Sequence, residues 1–555
     1  MKEIYIDIIE KALSAYSSER IADYINDVRE NGLKEHGFPR LAANIGILLA
    51  HSKRSELVNT FIEMMDICCD EMPAKKAAND FTVKEVCFCF AELKKNPVEG
   101  ISSQMIDGWI EKLSHFVPEL YYTVVASYKG EKLGNWAAFA AASEYMRKIT
   151  CNTKTDEFID RQLSSQMMSF DENGMYKDPD NPLVYDYTTR NQLVLPLYFG
   201  YKGEFAQEID CNMRKAGDLS LKMQSVTGEM PYGGRSIQFL HNETTIAATY
   251  EYEATRYAKE GNLQKAGEFK AAAKLACESV LEWLNFDRIV HVKNHYPADS
   301  MIGCERYGYF NKYMITLASM AYMAYVFADD SIMPTAAPAQ KGGYIATTSE
   351  DFHKIFVTNG GYHLEFDTNA DFHYDANGLG RIHKKGACSQ VCLTVPFPEN
   401  PEYKLARTNS RPMSICVFSN DNGINYYGAQ KDCEYKITER IENIEKTVLS
   451  LDCKLTNGSI VKAVYSVSGS GVDIEVCGKG EIGLCLPAFE FDGENETSIG
   501  TDKESITVKY LDSSCRYGFD GKLDGEYEIF YNRSGKYRVY RVSKKENLKV
   551  HIEID

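Results

Sequence analysis

Near residue 330 the hydrophobic period of the chain changes from that of a helix to that of a strand, which divides it into an α half and a β half. Before that point apolar residues recur at three and four: across Asn135–Lys148, Trp136, Phe139, Ala140, Tyr145 and Met146 mark helical faces. The same spacing predicts helices near 1–15, 18–29, 41–51, 55–69, 83–95, 103–116, 156–168, 188–200, 212–223, 245–260, 263–285 and 309–327. Gly261-Asn262 stops one of them, and Leu263–Leu284 is rich in the strong helix formers Ala, Lys, Glu and Leu. Short Gly/Pro/Asn/Asp loops join these helices into successive αα-hairpins, without the fixed period of a consensus solenoid. Ser331–Gly343 has the Pro/Ala/Gly content of a linker. Beyond it, β-branched and aromatic runs alternate between Asn-Gly and Asp-Gly turns, as in Lys354–Thr358, Ile460–Val467, Ser505–Tyr510 and Leu548–Ile554. The expected architecture is a helical catalytic domain over 1–330, a linker over 331–343 and an antiparallel β-sandwich over 344–555.

Composition narrows the function. With 555 residues, 44% of them hydrophobic, the chain can bury a large core. Its net charge of −17 repels phosphate backbones. The densest basic stretches, Lys384-Lys385 and Lys544-Lys545, are only dipeptides, so no nucleic-acid partner is expected. No run of about 18 apolar residues supports a membrane span. The acid-broken start Met1–Glu10 has no signal-peptide apolar region, and sixteen cysteines without one read as reduced thiols of a cytoplasmic protein. No phosphate loop, HExxH, dinucleotide fingerprint or nucleophile elbow occurs. Cys68-Cys69, Cys87-x-Cys89 and Cys388-x-x-x-Cys392 lack zinc-site spacing, and Asp171–Asp178 lacks the glycine and glutamate of a calcium loop. No metal or cofactor is expected.

Titratable residues instead gather where loops enter helices. In Val184–Arg190, Asp186 is a candidate carboxylate between Tyr185 and Tyr187, whose aromatic faces suit a sugar ring; a cap, or an ion pair with Arg190 one turn on, explains it equally. In Gly228–Glu243 the pair Gly233-Gly234 frees the backbone, and Arg235, His241, Asn242 and Glu243 arrive together, with Tyr250 on the helix face of Glu243. His291–Asn311 brings Asn294, His295, Arg306, Tyr307 and Tyr309. In the β half, Asp371–His383 carries His373, Asp375, Arg381 and His383 on what reads as a glycine-rich hairpin able to reach over the helical domain, or else as an ordinary polar surface.

These features together resemble the (α/α)-toroid carbohydrate-active enzymes, a group that includes heparinase II/III-like polysaccharide lyases and glycoside hydrolase family 154, with its β-glucuronidases. The likeness rests on Asn135–Phe139, Asp171–Tyr176 with Tyr185–Tyr187, Gly233–Ser236 with His241–Glu243, and Tyr374–His383. It implies a toroid, incomplete or of six hairpins, followed by a β-sandwich. The lyases of this group typically show an Asn-His pair with a following Tyr; here the order is His241-Asn242-Glu243, with Asn294-His295-Tyr296 elsewhere.

Two chemistries follow. A hydrolase needs two carboxylates, for which Asp186 and Glu243 are the candidates, with Tyr187, Arg190, Arg235, Tyr250 and Arg306 around the substrate. A β-eliminating lyase would use Asn242 or Asn294 to neutralise a uronate, Tyr309 or Tyr307 to exchange protons, and His241 or His383 to assist, with His295 nearby. The hydrolase is preferred because carboxylates lead two clusters. A non-catalytic sugar-binding protein is the remaining class. The acidic surface favours short oligosaccharides with a terminal uronic acid over long polyanions, which implies exo action. The oligomeric state stays open, a homo-oligomer included.

Overall fold

The computed structural model describes all 555 residues. Helices α1 (Lys2–Ser14) and α2 (Ser18–Asn31) lead into α3 (Gly37–Ala50), and α4 (Val58–Glu71) into α5 (Asn79–Lys95). Next come α6 (Ser103–Ser114), the single turn α7 (Pro118–Tyr121) and α8 (Trp136–Cys151), then α9 (Asp156–Ser164) and α10 (Leu183–Tyr198). The series ends with α11 (Ala206–Met223), α12 (His241–Lys259), α13 (Leu263–Leu284), α14 (Phe310–Phe327) and the one-turn α15 (Pro338–Lys341), which lies inside the expected linker.

Six of these helices close a ring. Each of α3, α5, α8, α10, α12 and α14 packs against the next, and α14 returns to α3. Outside them, α4, α6, α9, α11 and α13 each cover the inner helix that precedes them and α1 covers α14, so five hairpins and the α1–α14 pair close the helical half into a toroid of six helix pairs. Burial follows this division. All fourteen residues of α3 are buried, as are His241 to Arg256 of α12, whereas α2 buries only Ile21, Ile25 and Val28 along one stripe. Inner helices also need small surfaces for close approach. Gly46 of α3 is an example, because a Cβ there would stand 2.3 Å from Cys89 Sγ of α5 and 2.5 Å from the Phe61 ring of α4.

The β half has two antiparallel sheets. The smaller is ordered β1 (Tyr344–Thr347), β2 (Lys354–Asn359), β3 (Tyr362–Asp367), β4 (Gly378–Lys384). The larger has eleven strands between Val417 and Ile554, with the antiparallel pair Gly471–Phe491 and Lys536–Ile554 as its spine. The small sheet is the middle layer of the molecule, and the period of two shows why. Tyr344, Ala346 and Phe356 join the core of the toroid, while Ile345, Ile355, Val357, Leu364 and Phe366 join the core shared with the large sheet. Asp371–Asn377 is a loop entering β4 rather than a hairpin strand.

Candidate active site

Every inner helix sends its first turns to the same end of the ring. There they line a cavity of about 460 Å³: Arg40 from α3, Phe81 from α5, Trp136 and Phe139 from α8, Tyr185 and Thr188 from α10, His241 and Thr245 from α12, and Lys312, Tyr313 and Thr316 from α14. Loops complete the wall with His36, Asn135, Asp178, Arg235, Ser236 and Tyr307. Six helix N-termini carry partial positive charge to one mouth, where Lys34, Arg40, Arg235 and Lys312 add full positive charges beside the carboxyls of Glu35 and Asp178.

The imidazole of His241 is 7% exposed, packs against Phe239 and edge-on to Tyr313, and leaves Nδ1 without a hydrogen-bond partner. Burial, then the charge of Arg40 and the neighbouring His291, lowers its pKa to about 3, which keeps the ring neutral. Tyr307 hydrogen-bonds through its hydroxyl to Ser236 Oγ at 2.8 Å, and Tyr185 meets the same oxygen at 3.3 Å. Burial pushes the Tyr307 phenol well above its ordinary range, so it holds its proton. Arg235 is paired with Asp178, donates to Pro179 O at 2.7 Å and lies over the Tyr185 ring. Desolvation raises the Asp178 carboxyl to about 6 and also lifts that of Glu35, whose carboxylate accepts from the Gly37 N–H at 2.7 Å. Arg40 donates to Glu85 at 3.0 Å and Thr316 at 2.7 Å and contacts His36 at 3.1 Å, whereas partial burial lowers the ammonium of Lys312.

Of the sequence candidates, the cavity brings together His241, Arg235 and Tyr307. The two carboxylates proposed for hydrolysis lie outside it. Asp186, in the first turn of α10 rather than at its cap, is fully buried in a two-bond ion pair with Arg190 (2.7 and 2.8 Å) and accepts the Tyr176 N–H. Arg190 also donates to Ser220 Oγ and stacks on Tyr187, and Tyr250 donates to Ser220 O; all four residues are internal packing. Glu243, 1% exposed, is bound by Lys293 at 2.8 Å and the Met230 N–H at 3.1 Å, with Glu229 on the other side of the same ammonium. Asn242 donates to Ser236 O and Asn294 to Ile302 O and Arg533 O. His295 stacks on Trp283 beside Asp492. His383 is buried between the domains against Ser225 and Thr394. Arg306 and Tyr309 are exposed outside the cavity, the latter 60% so.

The residues missed by sequence reading are His36, Arg40, Tyr313 and Lys312. Their signal is a polar or charged side chain in the entering turn of an otherwise apolar helix. No group of three His, Cys, Asp or Glu side chains is placed to hold a metal ion, and no helix is long and apolar enough to cross a membrane.

No family model and no curated protein matches the chain. Among solved structures it is similar to heparinase III, at 11% identity over 98% of this chain and 91% of that one, with a TM-score of 0.39. It is also similar to the chondroitin AC lyase of Streptomyces coelicolor A3, at 9% identity over 99% and 82% of the two chains, with a TM-score of 0.44. A Paenibacillus xanthan lyase matches at 10% identity over 93% of this chain and 53% of its own, with a TM-score of 0.42.

Proposed function

We propose that this chain is a carbohydrate-active enzyme that cleaves short uronic-acid-containing oligosaccharides by β-elimination in the toroid mouth. The observation that carries the reading is the meeting of an imidazole kept neutral and a phenol kept protonated in one cavity ringed by helix N-termini and basic side chains. The substrate carboxylate docks against Lys312, Arg235 and Asn135, which withdraw charge and acidify the proton on C5. The neutral imidazole of His241 accepts that proton, C4=C5 forms, the C4–O bond breaks, and the Tyr307 hydroxyl protonates the departing oxygen. An arriving carboxylate also favours the imidazolium that this step creates, offsetting the burial that disfavours it.

Hydrolysis is the second reading, supported by Asp178, which keeps its proton up to a pH of about 6, and by Glu35 on the same wall. A product assay on a panel of short oligosaccharides, some with a 4-O-substituted internal uronic acid and some capped at the non-reducing end by glucuronic acid, separates the two. Elimination gives rising ultraviolet absorbance from a 4,5-unsaturated uronate, and H241Q and Y307F each lower it by about 10²–10⁴-fold. Free uronic acid without new absorbance assigns hydrolysis instead. Silence in both channels leaves a sugar-binding protein.

A further inference from the structure

The most constrained residue in the cavity wall is Ser236. Its φ of 62° lies in the left-handed region, which is strained for a non-glycine residue, and Gln238 two residues on has a φ of 65°. Such a conformation persists only where surrounding contacts over-determine it. Here the contacts are explicit. The Ser236 N–H donates to Glu305 Oε1 at 2.6 Å, its carbonyl accepts from Asn242 at 3.2 Å, and its hydroxyl meets Tyr307 and Tyr185.

Glu305 is in turn held from the other domain. Arg533, in the turn between the strands Lys522–Tyr531 and Lys536–Ile554, donates to Glu305 Oε1 at 2.6 Å and Oε2 at 3.3 Å. A third bond runs from Arg533 to Gly303 O at 2.6 Å, its guanidinium lies 3.7 Å from the Tyr403 ring centroid, and its carbonyl accepts from Asn294. Both side chains are at most 2% exposed. A bidentate guanidinium–carboxylate pair fixes orientation as well as position.

We propose that Arg533 and Glu305 are positioning residues for the cavity: the β domain, through Glu305, locks Ser236 in its left-handed conformation and thereby aims the Tyr307 hydroxyl. The toroid alone supplies the pocket wall, and the sandwich supplies the constraint that sets the geometry of its phenol. The effect on turnover rests on the β-elimination reading; the effect on geometry does not.

Two variants test it, E305Q and R533K, each first checked for a wild-type-like circular dichroism spectrum and melting profile. Crystal structures of both are expected to show Ser236 relaxed to negative φ and the Tyr307–Ser236 hydrogen bond broken. Unchanged Ser236 and Tyr307 geometry in both would overturn the proposal. On a uronate oligosaccharide, E305Q is expected to lower kcat by about 10²-fold with little change in KM. Combined with Y307F, it is expected to add almost nothing to the loss from Y307F alone, because both act through one hydroxyl. Fully additive losses would also overturn it. If the wild-type protein cleaves no uronate, the proposed function falls, and the crystal structures still decide the role of the strut.

Discussion

At the residue scale the sequence shows which groups are chemically capable, but not which of them are already occupied. Asp186 and Arg190 stand one helical turn apart, a spacing equally suited to an internal ion pair and to a carboxylate beside a substrate clamp. Burial decides between them, since the pair is at most 2% exposed. The D186N variant, which leaves the Arg190 guanidinium without its counter-charge in the core, is therefore expected to lose about 3–5 kcal/mol of stability in chemical denaturation. Its folded fraction is expected to keep activity per molecule; a D186N protein of normal stability and no turnover would return this carboxylate to the chemistry. Glu243 illustrates the same limit. Its partner, Lys293, is fifty residues away in sequence, and no local spacing announces it. His241, Arg235 and Tyr307 were legible because each lies in a dense polar cluster. Arg40 and Lys312 were not, because each is a lone charge in an apolar segment.

At the element scale the helical and strand regions were readable from periodicity, and the error in the helix ends has a pattern. Four inner helices begin earlier than their apolar spacing suggests: α3 at 37 rather than 41, α5 at 79 rather than 83, α10 at 183 rather than 188, and α12 at 241 rather than 245. The missing first turns hold Arg40, Asp80, Asp186 and His241–Glu243, polar groups that break the hydrophobic pattern. The segments that build or support the mouth are thus the ones the pattern hides. In the β half, β4 gave no alternation to read because glycines and the buried Arg381 and His383 interrupt it, whereas β3 does alternate, Tyr362, Leu364 and Phe366 against His363, Glu365 and Asp367, although both of its faces are buried. Helix packing yields its own expectation. The methyl group of a G46A variant has only Cys89 and Phe61 to enter, so a loss of about 1–3 kcal/mol and a lower melting temperature are predicted. An unchanged melting curve would mean that α3 and α5 can separate at no cost.

At the scale of the whole molecule the two halves are joined by buried polar bonds. Arg381 of β4, fully buried, bonds Glu365 of β3 at 2.6 Å and Met230 O of the toroid at 2.8 Å, and the Tyr232 N–H reaches back to Glu365. His383 bonds Ser225, and Lys354 stands over the Tyr232 ring. Separating the halves would expose these groups and strand several charges, so the chain is expected to unfold in a single calorimetric transition. Two resolved transitions would show that the domains are energetically independent.

The toroid mouth has one consequence of a different kind. Part of its positive charge comes from backbone dipoles, which carry no proton to lose and no side chain to swing away. That part is permanent and does not distinguish one anion from another. Under the proposed function, recognition of the sugar falls to the side chains that dipoles cannot imitate, and simple inorganic anions are the expected competitors of the substrate carboxylate.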